Sequence, residues 1–303
     1  MSLTLTQLRY LVAVARHGSV TGAARALNIS QPSVSVAIDA IEKDFGQKLF
    51  VRQRGSGVSP TSFGRAVIAK ARQVLAEVEE LADLGSAKSA VSGELVLGCF
   101  EDLAPYFAPG LIRAFSERHP DVSVVVRDET FETVGRRLAD AAIDLGLSYD
   151  LGLPSHFARI LLHKLKPHAL LPAGHALADR TEVSLAELAA YPLITTDQPQ
   201  SWQHMLDLFR GRGLSPVADR ATSSFELQRS MVANGFGVAV SYTRPHGDRS
   251  YDGLPLVCKP LSDPLPMQRI ILTYDTHQRV TNAALAFVDV AKAWFATRDI
   301  FAS

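Results

Sequence analysis

Twenty-four residues near the start, Ser19 to Glu42, constrain this chain more than any other stretch: Ser-Val-Thr-Gly-Ala-Ala-Arg-Ala-Leu-Asn-Ile-Ser-Gln-Pro-Ser-Val-Ser-Val-Ala-Ile-Asp-Ala-Ile-Glu. Ser19 or Thr21 can cap a short helix carrying Ala23, Ala24 and Leu27. Asn28-Ile29 leaves room only for a tight connection. A second helix then begins at Ser30, with Pro32 in its first turn, where the missing N–H has no helical partner anyway. Val34, Ile38 and Ile41 form its buried stripe. Ala23 and Ala24 let the two helices cross closely, and Leu27, Val34 and Ile38 fill the angle between them. Before this pair, Leu5, Leu8, Leu11, Val12 and Ala15 recur at helical spacing up to Gly18, which can end that helix in the left-handed conformation. After it, Leu49-Phe50-Val51 and Val58 read as two short extended pieces about a Gly55-Ser56-Gly57 tip.

Charge gives this unit a purpose. The whole chain holds 31 basic and 31 acidic side chains, a balance that at first argues against a polyanionic partner. The balance hides an asymmetry. Residues 1–76 carry ten Lys/Arg against three acids, +7, and the other 227 residues carry −7. Ser30, Gln31, Ser33 and Ser35 crowd the exposed N-terminal end of the second helix, where short polar side chains reach phosphates and base edges in a major groove. The helix N-terminus itself favours a phosphate.

Residues 61–84 form one long helical pattern in which Val67, Ala71, Val74, Val78 and Leu81 alternate by four and three. That spacing is the seam of a two-helix coiled coil about 35 Å long. Ile68 and Leu75 lie beside the seam, and burial against a partner chain is the expectation. Gly85 to Gly93 has the composition of a hinge. Beyond it, Leu95–Phe100, Val122–Val126 and Ile143–Tyr149 are β-rich runs separated by helical stretches at 105–118 and 131–142, a βαβαβ pattern that implies a parallel sheet. A comparable set follows: His168–Leu171, a helix at 184–190, Leu193–Thr195, helices at 203–211 and 224–234, and Val238–Tyr242. Ile270–Tyr274 and a helix near 280–297 end the chain. The pattern fits two small α/β lobes.

The run Ser19–Glu42, the following Gly46–Phe50 with Arg52, and Thr61-Ser62-Phe63-Gly64 together resemble the LysR-type transcriptional regulators. The resemblance spans the chain. It implies an α+β multidomain protein with an N-terminal winged helix-turn-helix at 1–60 and a long linker, or dimerisation, helix at 61–84. A hinge at 85–93 would lead to a two-lobed, periplasmic-binding-protein-like effector domain at 94–303. The first lobe would hold about 92–161 and 268–303, and the second about 162–267. The partners implied are double-stranded DNA at an interrupted palindromic operator, a small-molecule effector, and further copies of the chain as a homodimer that assembles into a homotetramer. RNA polymerase is a further candidate partner, and no cofactor or metal is implied. DNA contacts fall on Ser30, Gln31, Pro32, Ser33, Ser35, Val36, Arg52 and Arg54, with Lys43, Lys48 and Arg65 nearby on phosphates. The chain departs from the family where many members carry Arg or Gln after the Val-Ser of the recognition helix. Here Val36 and Ala37 follow Ser35, so bidentate guanine reading by Arg is missing from this helix. Gln31 can read an adenine instead, and Val36 can touch a thymine methyl.

By the same resemblance a small molecule binds between the lobes, where strands end and helices begin. Those positions are Cys99, Glu101, Asp102, Thr130 and Phe131 in the first lobe, and Asp197, Gln198, Ser201, Trp202 and Ser223 in the second. Several have a plainer reading beside this one. Asp102 can cap the helix that starts near Pro105, Ser223 or Ser224 the next helix, and Phe131, Trp202 and Cys99 can be core. After Val238–Tyr242 the family continues into a helix, whereas Pro245, Gly247 and Gly253 predict an irregular loop here. Tyr242, Arg244, His246 and Arg249 in that loop are candidates to bind an anion at the cleft mouth. The effector expected is therefore a small organic anion.

Other classes find less support. Tyr10 to Ala15, the longest apolar run near the start, is too short for a signal peptide or membrane span, and the reading is cytoplasmic. Two cysteines make no disulfide framework. A cytosolic enzyme, or a ligand-binding protein using the same cleft, is the alternative. The chain, however, has no GxSxG, HExxH or Walker loop, and Gly235-Phe236-Gly237 lacks a third glycine. His163, His168 and His175 are spaced irregularly, without carboxylate companions.

Overall fold

The structure, a computed structural model, describes residues 3–53, 57–83, 91–245, 247–298 and 300. Arg54, His246, the Gly55-Ser56 tip and most of the expected hinge lie outside the described residues. Three helices open the chain: α1 (Leu5–His17), α2 (Val20–Ala26) and α3 (Gln31–Phe45). Thr4 caps α1 in a reciprocal box with Gln7, and Gly18 ends it at φ 62°. Ser19, rather than Thr21, caps α2. Ala23, Ala24, Val34 and Ile41 are fully or almost fully buried at the helix crossing. Strands β1 (Phe50–Gln53) and β2 (Gly57–Pro60) form an antiparallel hairpin with Arg52 opposite Val58.

Glu42 ties this hairpin to α3: its buried carboxylate accepts from the Leu49 N–H at 2.8 Å and pairs with Lys48. The next helix, α4 (Ser62–Asp83), starts where the Thr61 hydroxyl accepts from the Gly64 N–H. A Cβ at Gly64 would sit 2.0 Å from the Leu49 carbonyl oxygen, so only glycine allows this approach. The first turns of α4 lie on α1. Ile68 and Ala71 are buried there, with Val67, Val74 and Leu75 packed alongside. Part of the expected interchain seam is thus consumed within the chain, while Leu81 remains 68% exposed.

Strands β3 (Gly93–Phe100), β4 (Val122–Glu129) and β5 (Leu145–Tyr149) alternate with α5 (Ala104–Arg118) and α6 (Phe131–Ala139), all three strands parallel, as the βαβαβ pattern predicts. α6 stops three residues short of the expected 142, because Ala141 turns the chain at φ 57°. Strand β6 (Ile160–Leu165) was not legible as a strand. The chain then leaves this sheet for β7 (His168–Pro172), α7 (Leu185–Leu188), β8 (Leu193–Thr196), α8 (Pro199–Arg210), β9 (Ala218–Thr222), α9 (Phe225–Ala233), β10 (Ala239–Ser241) and β11 (Leu256–Pro260). It returns with β12 (Gln268–Thr273) and α10 (Asn282–Ala296).

The first sheet has order β4-β3-β5-β12-β6, with β12 antiparallel to both neighbours. In the second lobe β10-β7-β11 are antiparallel and β8-β9 parallel, and the two pieces meet where the Ile194 N–H donates to the Val238 carbonyl. The first sheet is mixed because β12 returns to it after the second crossing, whereas the strands of the second lobe, β7 to β11, all lie between the two crossings. Phe100, Phe107, Phe115, Phe287 and Phe295 fill the core between α5, α10 and the first sheet. Phe209 and Leu185 anchor the second.

One buried carboxylate joins the N-terminal unit to the first sheet. Asp144, whose side chain is 3% exposed, pairs with Arg16 of α1 and Arg72 of α4 and accepts from the Val96 N–H at 2.7 Å. Burial lowers both guanidinium pKa values, that of Arg72 to about 10. Arg65 with Asp140 and Arg279 with Glu77 add ion pairs along the same seam.

Candidate nucleic-acid interface and effector cleft

Ser30 is the N-cap of α3. Its hydroxyl accepts from the Ser33 N–H at 3.3 Å and lies 2.7 Å from the Ser33 hydroxyl. That pairing holds the first turn open to solvent, with Gln31, Pro32 and Ser33 exposed and Ser35 half-buried. Val36 is 68% exposed, an apolar side chain that nothing in the chain covers. Arg52 is exposed on β1. The structure thus places Ser30 to Val36 on one open helix end, with a cationic side chain on the hairpin beyond. Lys48 is exposed but paired with Glu42, and Arg65 is spent on Asp140, Ser62 and the Pro60 carbonyl.

Between the lobes lies a cavity of about 50 Å³, bounded by Asp102, Phe131, Tyr149, Thr196, Ser201 and His204. Met205, Phe225, Gln228, Tyr242, Thr243 and Gln268 complete the wall. That space accommodates about four waters, so a larger ligand requires the lobes to part. Among the described residues, four polar side-chain contacts join them. Gln198 donates to the Glu101 carboxylate, and Asp102 accepts from the Phe225 N–H at 3.3 Å. The Tyr106 hydroxyl donates to Glu226 at 2.6 Å, and the Tyr149 and Thr243 hydroxyls lie 2.5 Å apart.

These contacts correct one expectation. Asp102 does not cap α5, whose N-cap is Leu103 without any side-chain bond; its carboxylate reaches the second lobe instead. Burial pushes the Asp102 carboxyl up to about 7, a shift limited by the Phe225 N–H and reinforced by Glu101 and Glu226. Burial likewise raises Glu101, with Asp197 and Asp128 adding to it. Thr130 caps α6 in a box with Thr133, and Ser224, not Ser223, caps α9. Asp197 and Ser223 are exposed, and Trp202 is half-buried on α8 outside the cavity wall. Cys99 is fully buried in β3, where burial raises its thiol pKa.

The loop after β10 is irregular, as predicted, but Arg244 does not reach this cavity. It lines a second, separate one beyond Tyr242. Arg249 donates back to the Gly253 carbonyl within its own loop. Among the wall residues that sequence reasoning missed are Tyr149, His204, Met205, Gln228, Thr243 and Gln268. Only their positions at strand ends and on the inner faces of α8 and α9 could have pointed to them. Burial lowers His204, whose Nε2 lies 3.1 Å from the Tyr242 hydroxyl. Among the described residues, His156, Asp275 and His277 cluster, yet the two imidazoles are parallel to within 3° and stacked. In-plane lone pairs on stacked rings do not converge on one ion.

Comparison with known proteins adds the following. Residues 5–65 match the family model described as bacterial regulatory helix-turn-helix protein, lysR family, and residues 88–296 match LysR substrate binding domain. The chain is 30% identical over 298 residues to the uncharacterized HTH-type transcriptional regulator YvbU of Bacillus subtilis, covering 97% of this chain and 99% of that protein. It is also 30% identical over 262 residues to the HTH-type transcriptional regulator CysB of Burkholderia cenocepacia, covering 84% and 83%. Among solved structures, HinK of Pseudomonas aeruginosa superposes with a TM-score of 0.65 at 34% identity, over 96% of this chain and 98% of that one. A full-length OxyR from Pseudomonas aeruginosa shares the fold at TM-score 0.74 and 21% identity, over 96% and 98%.

Proposed function

Because this chain belongs to the LysR family of transcriptional regulators, we propose that it is a non-enzymatic, DNA-binding regulator that works as a homodimer or a dimer of dimers in the cytoplasm. The observation that carries the reading is the open N-terminal turn of α3, from Ser30 to the exposed Val36, within residues 1–76, whose net charge is +7. Two such units in a dimer would meet an interrupted palindrome in successive major grooves. Gln31 and Val36 would supply base contacts, and Ser30, Ser33, Ser35, Arg52 and Arg54 would grip phosphates. No helix among the described residues is long and apolar enough to cross a membrane.

The working parts are read as a DNA head at 1–60, a dimerisation helix at 61–84, a hinge at 85–93 and an effector domain at 94–303. A small molecule entering between Asp102, Phe131 and Gln268 on one side and Ser201, Gln228 and Thr243 on the other would change lobe closure. That change would alter the spacing of paired heads, the DNA bend and the access of RNA polymerase. The enzyme alternative is disfavoured by one contact: Ser201 and His204 share the cleft, but His204 Nε2 faces the Tyr242 hydroxyl.

Fluorescence anisotropy with operator DNA across a salt series tests the DNA reading. If about six phosphates are neutralised per dimer, log K falls against log salt with a slope near −5. Arg52→Ala should weaken binding to all sequences and lower the slope by about 1 per head, whereas Gln31→Ala should relax base preference at one position. A salt-independent affinity would reject the reading.

A further inference from the structure

Tyr242 divides two spaces. On one side is the interlobe cleft, whose wall contains no Lys or Arg. On the other is a cavity of about 590 Å³ beside the two chain crossings, lined from β6–β7 and from β11–β12. Its size falls within the ordinary range for small-molecule pockets, about 300–1,000 Å³. Lys164, Lys166, Arg244 and Lys259 contribute to its wall, against the carboxylates of Glu182 and Asp263. Asp263 is already neutralised by Arg212 at 3.3 Å and also accepts from the Leu185 N–H, so most of its charge is spent. The cavity is therefore a positive spot within the part of the chain that carries −7 overall.

Two groups there lack the partners such groups ordinarily hold. Arg244 is half-buried; it hydrogen-bonds the Cys258 thiol but pairs with no described carboxylate. His168 is 93% buried on the wall, and its Nε2 has no hydrogen-bond partner among the described residues. Burial, then Arg244 and Arg229, depresses its pKa to about 3, so the ring is neutral at physiological pH. A ligand oxygen at this position would give that buried nitrogen the hydrogen-bond partner it lacks.

We propose that this cavity is a second ligand site, specific for a small organic anion bearing two or more negative charges as carboxylate or phosphate. Arg244 would take the anion as a planar fork, Lys259, Lys164 and Lys166 would screen the remaining charge, and His168 would supply a neutral contact. Such an anion bridges both crossings between the lobes. The site is separate from the cleft of the proposed regulator, and its existence does not depend on DNA binding.

Isothermal titration of the full-length protein with citrate and with pyrophosphate, at constant ionic strength set by chloride, tests it. Binding by citrate, pyrophosphate or both supports the site, and their relative affinities separate carboxylate from phosphate recognition. Arg244→Gln and, independently, Lys259→Gln should each weaken binding at least tenfold, while Ser201→Ala in the cleft should leave it within twofold. Lys166→Gln, at an exposed wall position where the fold is not at risk, should also weaken binding several-fold, so that a folding defect in Arg244→Gln cannot by itself account for the loss. The proposal is overturned if neither anion binds, or if binding survives Arg244→Gln and Lys259→Gln, or if it is lost in Ser201→Ala.

Discussion

Asp102 shows how far a single residue departs from what its type suggests. A carboxylate before a helix ordinarily caps it, yet this one reaches the opposite lobe and holds its proton up to about pH 7. In the unfolded chain the same group releases that proton near 3.8. Between those values the folded state binds a proton that the unfolded state lacks, so this contribution is fully present below about pH 4 and is lost as pH rises through 7. Urea unfolding of the wild type and Asp102→Asn should therefore diverge with pH. The wild type loses on the order of 2 kcal/mol relative to the variant between pH 4 and 7.5, a figure reduced for the side chain's partial exposure. A constant difference across that range would remove Asp102 as the titrating group. The open first turn of α3 was legible from residue types, since Ser30, Gln31, Pro32, Ser33 and Val36 need only a capped helix to face solvent. The cleft wall was not. Thr243 and Gln268 reach it from elements that only the crossing strands bring together.

Element by element, α4 is the most informative. Its apolar periodicity was visible from Val67 to Leu81, but periodicity does not say which chain covers which turn. The first half is buried on α1 of its own chain, while Leu81 is exposed and, on the proposed dimerisation role of this helix, available to a partner. Leu81→Glu should therefore shift the assembly towards monomer in sedimentation at micromolar concentration while the far-ultraviolet circular dichroism stays unchanged. An unaltered sedimentation coefficient would place the dimer contact elsewhere. Asp144 makes a second element-scale prediction. It is the common anion of Arg16 and Arg72, from two helices, and removing it leaves Arg16 with Glu94 and the buried Arg72 with only the neutral Ala141 carbonyl and Gln278 side chain among the described residues. Asp144→Ala should cost about 3 kcal/mol in urea unfolding, with the N-terminal unit losing its hold on the first sheet. Limited proteolysis near residues 84–90 should then accelerate. No change in either measurement would show that the seam contributes little.

For the whole molecule, the balance between open and closed lobes rests on a few polar contacts across a small cavity. Tyr106–Glu226 and Tyr149–Thr243 are two of them, each worth about 1 kcal/mol net. Replacing both tyrosines with phenylalanine should move the closed-to-open ratio by about 30-fold, by the usual conversion of about 1.4 kcal/mol per tenfold. Small-angle scattering should register a larger radius of gyration in the double variant, and an unchanged radius would mean that apolar packing, not these hydroxyls, holds the lobes. The second cavity beyond Tyr242 adds an anion-dependent term to the same balance, because its wall spans both crossings.

The sequence by itself determined the N-terminal unit, the long helix and the alternating strands and helices of the effector domain. Those features depend on caps, periodicity and turn residues within about twenty positions of each other. It also determined the uneven charge, which a sum over the chain conceals. Tertiary structure alone decided where Arg244 and Asp102 would act, which turns of α4 would be covered, and that Asp144 would collect two arginines. Each of these depends on groups dozens to more than a hundred residues apart, brought together by the packing of separate elements and, for Arg244 and Asp102, by the two crossings between sheets, and a strand pattern carries no information about such distances. Arg244 is the sharpest case. Its charge predicted an anion, but only the fold put Tyr242 between that anion and the cleft.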